Sequence, residues 1–343
     1  MAEGSIRDGG AAVAAAAPSH TYRVATIDLG TVSSRLLLAQ VTDGVIVDST
    51  KRTVITNLGE GVDATGMLSD GAVDRVLAAC EGFLREIAAF RPDRVCTTLT
   101  SAARDATNGG RLLAELEALG LAPQVIPGEV EAELTFYGVA HDFPGRRIVV
   151  ADSGGGSTEL AAGEYGVDGS LSTDHVVSVN IGCRRVTDRF LAGDPPSAGE
   201  MEAAASWIRP QFETWWGALG QRPDTLVAVG GTVTSLCAMV QELPIYDSSL
   251  VHLHELTLAE VEACVARMAA LPANEIAQLP CVQADRAPVL LGGALVIREL
   301  MAAGGYDRLT VSENSLMAGL AATIFEELEG GSTAIGWEPV LSF

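Results

Sequence analysis

Apolar residues recur along this chain in two rhythms. In "RVATIDLG", "SRLLLAQV" and "GVIVDSTKRTV" they run together or alternate with polar residues, which predicts three consecutive strands joined by short turns. From Ser69, an expected N-cap, the period changes. Val73, Val76, Leu77, Cys80, Phe83, Leu84 and Ile87 then fall along one face of a helix. "DRVCTTLT" predicts a further strand and "SAARDATN" a loop, followed by a helix, a short strand in "PQVIP" and a helix beginning near Glu129.

The series then restarts. "RRIVVADSGGGSTELAAGE" reads as strand, glycine turn and strand, and "DHVVSVNIG" as a third strand. After further helices, "DTLVAVGGTVTSLCAMV" reads as a buried strand running into a helix, and "YDRLTVS" as one more strand before a final helix near Glu313. Each half opens with a strand, an acid, a glycine turn and hydroxyls, so the pattern predicts a duplicated α/β architecture.

A length of 343 residues fits about two domains, and 48% apolar residues with 19% charged ones mark a folded chain. A formal net charge of −22 excludes a general nucleic-acid or membrane-surface binder, because polyanions are repelled over most of such a surface. An anionic ligand would need a local basic pocket or accompanying cations. Lys51 is the only lysine, so that pocket must be built from arginine. The six scattered cysteines form no CxxC, which points to reduced core thiols in a cytoplasmic protein. No apolar run reaches the length of a membrane span. Residues 1–21, with "AAVAAAAP", are expected to be a disordered tail and not a signal peptide, and residues 330–343 a second tail.

Candidate chemistry concentrates in three turns. Asp28-Leu29-Gly30-Thr31-Val32-Ser33-Ser34-Arg35 and Asp152-Ser153-Gly154-Gly155-Gly156-Ser157-Thr158-Glu159 each place an acid at a strand end, then glycine, then hydroxyls. Bare backbone lets N–H groups approach an anion, and serine or threonine adds donors. Val229-Gly230-Gly231-Thr232 could offer helix N-terminal amides in the same way. Tight structural hairpins are the plain alternative. None of the three is a P-loop, since no GKS or GKT occurs.

Together these turns resemble the phosphate-1, phosphate-2 and adenosine loops of the actin/hexokinase/heat-shock-chaperone superfamily. With "TSAARDATN" and "GEVEAELTFYGV", the chain from about residue 22 to 325 resembles the exopolyphosphatase/guanosine pentaphosphate phosphatase (Ppx/GppA) family. The resemblance implies two duplicated ribonuclease-H-like domains (actin-like ATPase fold) with a central cleft between them. Residues 22–133 would form the first, with a helix at about 313–329 packed back on it, and residues 134–312 the second.

It also implies roles. Glu131 would activate water, with Glu129 and Glu133 as near decoys, and a solvated first-turn glutamate is the bland alternative. Asp152 and Glu159 would position Mg2+ or another divalent cation, helped by Asp28 from the facing loop. Gly154, Gly155, Gly156 and Ser157 would donate to the transferring phosphoryl group, as would Gly30, Thr31, Ser33, Gly231 and Thr232 in their loops. Arg104 would grip phosphate with its planar fork, Arg35 would assist, and Arg184 or Arg185 would extend a basic strip.

The implied reaction is release of orthophosphate from the end of inorganic polyphosphate. Guanosine pentaphosphate hydrolysis and a non-catalytic polyphosphate or alarmone sensor are the alternatives, and a homodimer is a further expectation. Two departures stand out: Val32 occupies a position where the family carries asparagine, and Pro288 one where it carries aspartate. His141-Asp142, the "HLHE" at His252, His175 and the tryptophans Trp207, Trp215 and Trp216 read as structural.

Overall fold

In the computed structural model, which describes residues 20–343, β1 (Thr21–Leu29), β2 (Ser33–Thr42) and β3 (Val45–Ile55) form an antiparallel meander. Then come α1 (Val62–Thr65), α2 (Asp70–Phe90), β4 (Arg94–Leu99), α3 (Ser101–Asp105), α4 (Gly110–Ala118), β5 (Pro123–Val125) and α5 (Gly128–Ala140). The second series repeats the meander with β6 (Arg147–Ser153), β7 (Thr158–Tyr165) and β8 (Leu171–Val179). It continues through α6 (Cys183–Phe190), α7 (Ala198–Ala218), β9 (Thr225–Val229), α8 (Gly231–Val240), α9 (Ser248–Val251), β10 (Glu255–Thr257), α10 (Leu258–Ala269) and α11 (Ala273–Ile276). The chain closes with α12 (Ala287–Gly304), β11 (Arg308–Val311), α13 (Leu316–Leu328) and β12 (Leu341–Ser342).

The two sheets share one plan. In the first, β1 lies between antiparallel β2 and parallel β4, with β3 beyond β2 and β5 beyond β4. In the second, β6 lies between antiparallel β7 and parallel β9, with β8 and β11 in the corresponding outer places and β10 past β11. This repetition is the duplicated α/β fold that the two glycine hairpins predicted.

Both faces of each sheet are covered, which is why the central strands read as apolar runs. Ala25, Ile27, Leu29, Leu36 and Leu38 face α2, with Val73, Val76, Cys80, Phe83 and Ile87 of the expected stripe buried and Leu77 and Leu84 at its margin. The intervening residues Val24, Leu37, Ala39 and Val41 face α13 through Leu316, Leu320, Ala321 and Ile324. In the second sheet Val149, Ala151, Leu160 and Ala162 pack with Phe212, Leu236 and Leu290, and Ile148, Val150 and Ala161 with Phe136 and Val139 of α5. Each middle helix therefore spans the halves: α5 follows the first sheet in sequence but packs on the second, and α13 does the reverse. They cross so closely that a Cβ on Gly319 would lie 1.9 Å from the Leu134 carbonyl oxygen.

Several expectations need correction. "SAARDATN" is not all loop, because the amides of Ala103 and Arg104 bond the Thr100 carbonyl and start α3. The stretch 330–343 does not simply trail, since Leu341 and Ser342 pair with Cys96 and Val95 of β4. β5 covers only Thr97–Leu99 of that edge, so β12 satisfies the backbone groups that β5 leaves. Ala284–Gly304 is, by length and composition, apolar enough to cross a membrane, yet 78% of its 18-residue apolar window is buried, the signature of a core helix. The final helix begins at Leu316, not near Glu313. The tail predicted for residues 1–21 lies largely outside the described residues, and Thr21 already belongs to β1.

Candidate functional site

The turns of the two duplicated hairpins face one cleft. In each, the glycine amide closes the turn on a serine carbonyl: Gly30 N to Ser33 O at 3.0 Å, and Gly154 N to Ser157 O at 3.0 Å. The strand registers then fix which side chains sit opposite one another, Asp28 with Arg35 in one hairpin and Asp152 with Glu159 in the other.

Thirteen of the expected residues line this cleft: Asp28, Gly30, Thr31, Ser33, Arg35, Glu131, Asp152, Gly154, Gly155, Gly156, Ser157, Gly231 and Thr232. Arg104 and Glu159 are set behind the wall. The cleft floor holds about 40 Å³, room for on the order of three waters. It adjoins a chamber of about 710 Å³ across Arg35, Gly231 and Arg286, which line both.

Helix α6 orients the glycine loop. Its first amides reach back to the loop carbonyls, Cys183 N to Gly154 O at 3.0 Å and Arg184 N to Gly155 O at 2.9 Å, while Arg185 Nε donates to Gly156 O at 2.8 Å. In a trans peptide the N–H points opposite its carbonyl. The amides of Gly155, Gly156 and Ser157 therefore point away from α6, and among the described residues none donates to a protein acceptor. Three consecutive free amides make an anion-receiving nest. The glycines are also sterically required: a Cβ on Gly156 would lie 2.4 Å from Ser101 Oγ, and one on Gly155 2.8 Å from Thr31 Cβ. Gly230, at φ 98°, brings the third turn against Asp152, where a Cβ would lie 3.1 Å from Oδ1.

The carboxylates are buried and crowded. Burial pushes Asp28 up to about 6, with Arg35 opposing and Asp152 adding to the rise. Burial likewise raises Asp152, against the pull of Arg35. Glu159 is pushed up to about 7 by burial and by the Asp152 charge, although Ser178 donates to it at 2.7 Å. Glu131, in the first turn of α5, is raised by burial and by Glu159, and Arg104 holds it down. Arg104 Nη1 donates to Glu131 Oε2 at 2.7 Å and to the Ile126 carbonyl at 3.0 Å, while Nη2 lies 3.7 Å from Glu159.

This set fits a divalent cation. Asp28 and Asp152 share Arg35 as their countercharge, and among the described residues Asp28 Oδ1 is buried without a hydrogen-bond partner, as are Ser101 Oγ and Ser153 Oγ. Among the described residues no group of three His, Cys, Asp or Glu side chains is placed to hold a metal by itself. The donor set is that of an ion which takes one or two carboxylates and completes its shell with phosphate and water, as Mg2+ does.

Other expectations resolve differently. Arg184 and Arg185 do not form a basic strip on the cleft: Arg184 donates to Asn57 at 2.7 Å, and Arg185 pairs with Asp63 and Asp105. Val32 is buried with Cys183 and Val289, so its side chain seals the cleft beside the loop. Pro288 lies in the first turn of α12, where its missing N–H would find no helical acceptor anyway. His141 Nδ1 contacts the Tyr137 carbonyl and Asp142 accepts from Asn314, so that pair is a helix-end contact.

The residue missed from the sequence is Arg286. It lies over Gly231, where a Cβ would be 2.3 Å from its Nη1, and burial pushes it down to about 10. Its Nε reaches Gln283 Oε1 at 3.4 Å, and among the described residues no carboxylate pairs with it. A buried guanidinium without an acid is an anion position. Its only signal was its place two residues before Pro288, in a segment read for the proline.

A family model described as the Ppx/GppA phosphatase family matches residues 37–327. Exopolyphosphatase 2 of Mycobacterium tuberculosis is 36% identical over 322 residues, covering 88% of this chain and 98% of the relative. Among solved structures, an exopolyphosphatase-like protein is 30% identical with a TM-score of 0.83, covering 90% of this chain and 99% of that one. The Aquifex aeolicus Ppx/GppA family member is 29% identical with a TM-score of 0.74, again covering 90% of this chain and 99% of that one.

Proposed function

The chain belongs to the Ppx/GppA phosphatase family and is a phosphoanhydride hydrolase, and from that premise we propose that it removes terminal orthophosphate from inorganic polyphosphate. The observation that carries this reading is the facing of two acid-and-glycine hairpins, three free amides and Glu131 across one small polar floor. The chamber past Arg35 and Arg286 would take the rest of the substrate.

In this reading the terminal phosphoryl group sits on the amides of Gly155, Gly156 and Ser157. Thr31, Ser33 and Thr232 donate from the other two loops, and Arg35 and Arg286 hold the phosphates that follow. A water attacks phosphorus in line, the new P–O bond forms as the bridging P–O bond breaks, and the shortened chain departs with the bridging oxygen. Glu131 accepts the water proton. Burial and Glu159 make it a stronger base than an ordinary glutamate, and the Arg104 bond keeps it aimed and ionised. Arg104 thus acts through the base, and its fork is turned to Glu131, the Ile126 carbonyl and Glu159 in place of the phosphate grip expected of it. Asp28 and Asp152, backed by Glu159, would hold the divalent cation, Mg2+ in our reading, which when bound neutralises phosphate oxygens. The amides then stabilise the charge that grows in the transition state.

One observation favours the second reading, guanosine pentaphosphate. Besides its cations the chamber is lined by hydroxyls, including Ser49, Thr53, Thr234, Ser248 and Tyr246, which suit a sugar and base as well as phosphate. The test is phosphate release with Mg2+ from short polyphosphate, long polyphosphate and guanosine pentaphosphate, by wild type and Glu131→Gln. Preferred turnover of polyphosphate, with kcat reduced by about 10²–10⁴ in the variant, is the expected result. Wild-type turnover by Glu131→Gln would remove the assigned base, and a preference for guanosine pentaphosphate would replace the substrate.

A further inference from the structure

We propose that Arg185 is a positioning residue, one that holds the second glycine loop in its anion-receiving orientation and latches it to the opposite half of the molecule. Its catalytic consequence rests on the hydrolase reading above, while its geometry does not.

Arg185 is only 9% exposed, yet its N–H groups serve three separate segments. Nε donates to the Gly156 carbonyl at 2.8 Å, Nη1 to Asp63 of α1, and Nη2 to Asp105, the last residue of α3. The first contact belongs to the second half and the other two to the first. Asp63 is fixed in turn by Arg189, whose Nη2 donates to Oδ1 at 2.7 Å, and the hydrogen bond from Arg189 holds its carboxyl below the usual range, with Arg185 adding to the effect.

The contact on Gly156 has a direct consequence for the amides. With its carbonyl held toward α6, the N–H of Ser157 must point the other way, into the cleft. Helix α6 lies flush on this loop because Gly182 has no side chain: a Cβ there would be 2.4 Å from the Gly155 carbonyl.

The contact on Asp105 reaches the base. Asp105 follows Arg104, and Arg104 bonds Glu131. One guanidinium therefore connects the amides that receive phosphate to the short helix that aims the proton acceptor. The planar fork carries its donors on three separate nitrogens and so spans these three segments, whereas the donors of a lysine ammonium all radiate from one nitrogen and cannot. Both asparagine-linked Arg184 and exposed Arg189 lack such a reach into the loop through their side chains.

The test uses the full chain with Arg185→Lys and Asp105→Ala. Hydrogen–deuterium exchange is read on peptides covering 153–158 and 101–107, together with kcat and KM for phosphate release from short polyphosphate in Mg2+. For Arg185→Lys we expect exchange to speed up about ten-fold or more at the hydrogen-bonded amides of both segments, Gly154 in the loop and Ala103 and Arg104 in α3. kcat should fall on the order of a hundred-fold, the scale of a small misplacement, while KM stays within about three-fold. Asp105→Ala should loosen 101–107 and leave 153–158 near wild type, because the Gly156 contact remains, with a smaller fall in kcat.

Wild-type exchange in both segments of folded Arg185→Lys, or an unchanged kcat per folded molecule, overturns the proposal. If Arg185→Lys does not fold, Asp105→Ala decides it: loosening of 101–107 with a fall in kcat supports the latch, and wild-type behaviour refutes it. Absence of phosphate release by wild type would instead refute the hydrolase reading, and the exchange pattern would still decide the latch.

Discussion

Asp28→Asn should make the metal-free protein more stable while abolishing its turnover. Asp28 is 4% exposed, and its carboxyl is pushed up to about 6 from the ordinary 3.8 chiefly by burial. A raised carboxylate value means that the folded chain holds the proton more tightly than the unfolded chain does. At neutral pH the ionised group therefore subtracts from stability, and below 3.8, where both states are protonated, the effect vanishes. At about 1.36 kcal/mol per pH unit, the gap amounts to about 3 kcal/mol at pH 7.5 and roughly half of that at pH 5. With an unfolding entropy of about 2.1 cal/mol/K per residue, this is a rise of about 4 °C in Tm for the whole chain. Calorimetric melts in chelator at pH 7.5 and pH 5 would measure it, beside a phosphate-release assay. Adding Mg2+ should close the gap, because a cation at 100 times its Kd stabilises the wild type by about 2.7 kcal/mol and the variant by less. If Asp28→Asn melts at or below wild type in chelator at pH 7.5, or keeps its full advantage at pH 5, the cleft is not a charge-frustrated site completed by a cation.

Arg286→Ala should raise KM for polyphosphate by about 10- to 100-fold, the scale of a charge-assisted hydrogen bond, with little change in Tm because no buried acid is left without its partner. Steady-state kinetics and a thermal melt check it, and an unchanged KM would remove Arg286 from the substrate path. As the base we propose, Glu131 would act unprotonated, and because it is raised above its ordinary 4.5, kcat should fall on the acid side at a pH well above that value, a limb that a pH–rate profile would detect. Gly319→Ala should destabilise the fold by about 1–3 kcal/mol, since its methyl would lie 1.9 Å from the Leu134 carbonyl, and denaturant unfolding would show it. Cys96, pushed up to about 12 by burial, should resist a thiol reagent in the native protein at pH 8, and rapid labelling would contradict its placement.

The repeated meander was legible because strands covered on both faces must be apolar and because a tight acid–glycine turn leaves an unmistakable composition. Most of the cleft lining could be named for the same reason, since turns that approach one another this closely need glycine, whereas Glu131 stood out only through the family resemblance. What escaped notice depended on long-range packing. β12 is two residues long and forms only because β5 leaves part of β4 uncovered, and nothing local in Leu341–Ser342 announces it. Ala284–Gly304 could be told from a membrane span only by the elements that surround it. Arg286 and Arg185 carry no local mark either. One is defined by the absence of an acid among its described neighbours and the other by two acids 122 and 80 positions away.

The duplication also explains how one device came to serve two purposes. Asp28 and Asp152 occupy the same place in their hairpins, at the strand position across from Arg35 and Glu159 respectively. Backbone geometry is thus common to both turns, while the opposing residue differs by two units of charge. The first hairpin is nearly balanced, with Arg35 Nε 3.8 Å from Asp28 Oδ2, and in the function we propose it would admit a phosphate chain past its arginine. The second carries two acids and three free amides side by side, so it tolerates an anion only together with a cation. A molecule of net charge −22 would receive the proposed polyanion on these terms, because attraction is confined to the seam where the two hairpins meet. Exchanging Arg35 for glutamate would make the hairpins alike in charge, and substrate binding should then be lost even where the fold and the amides persist.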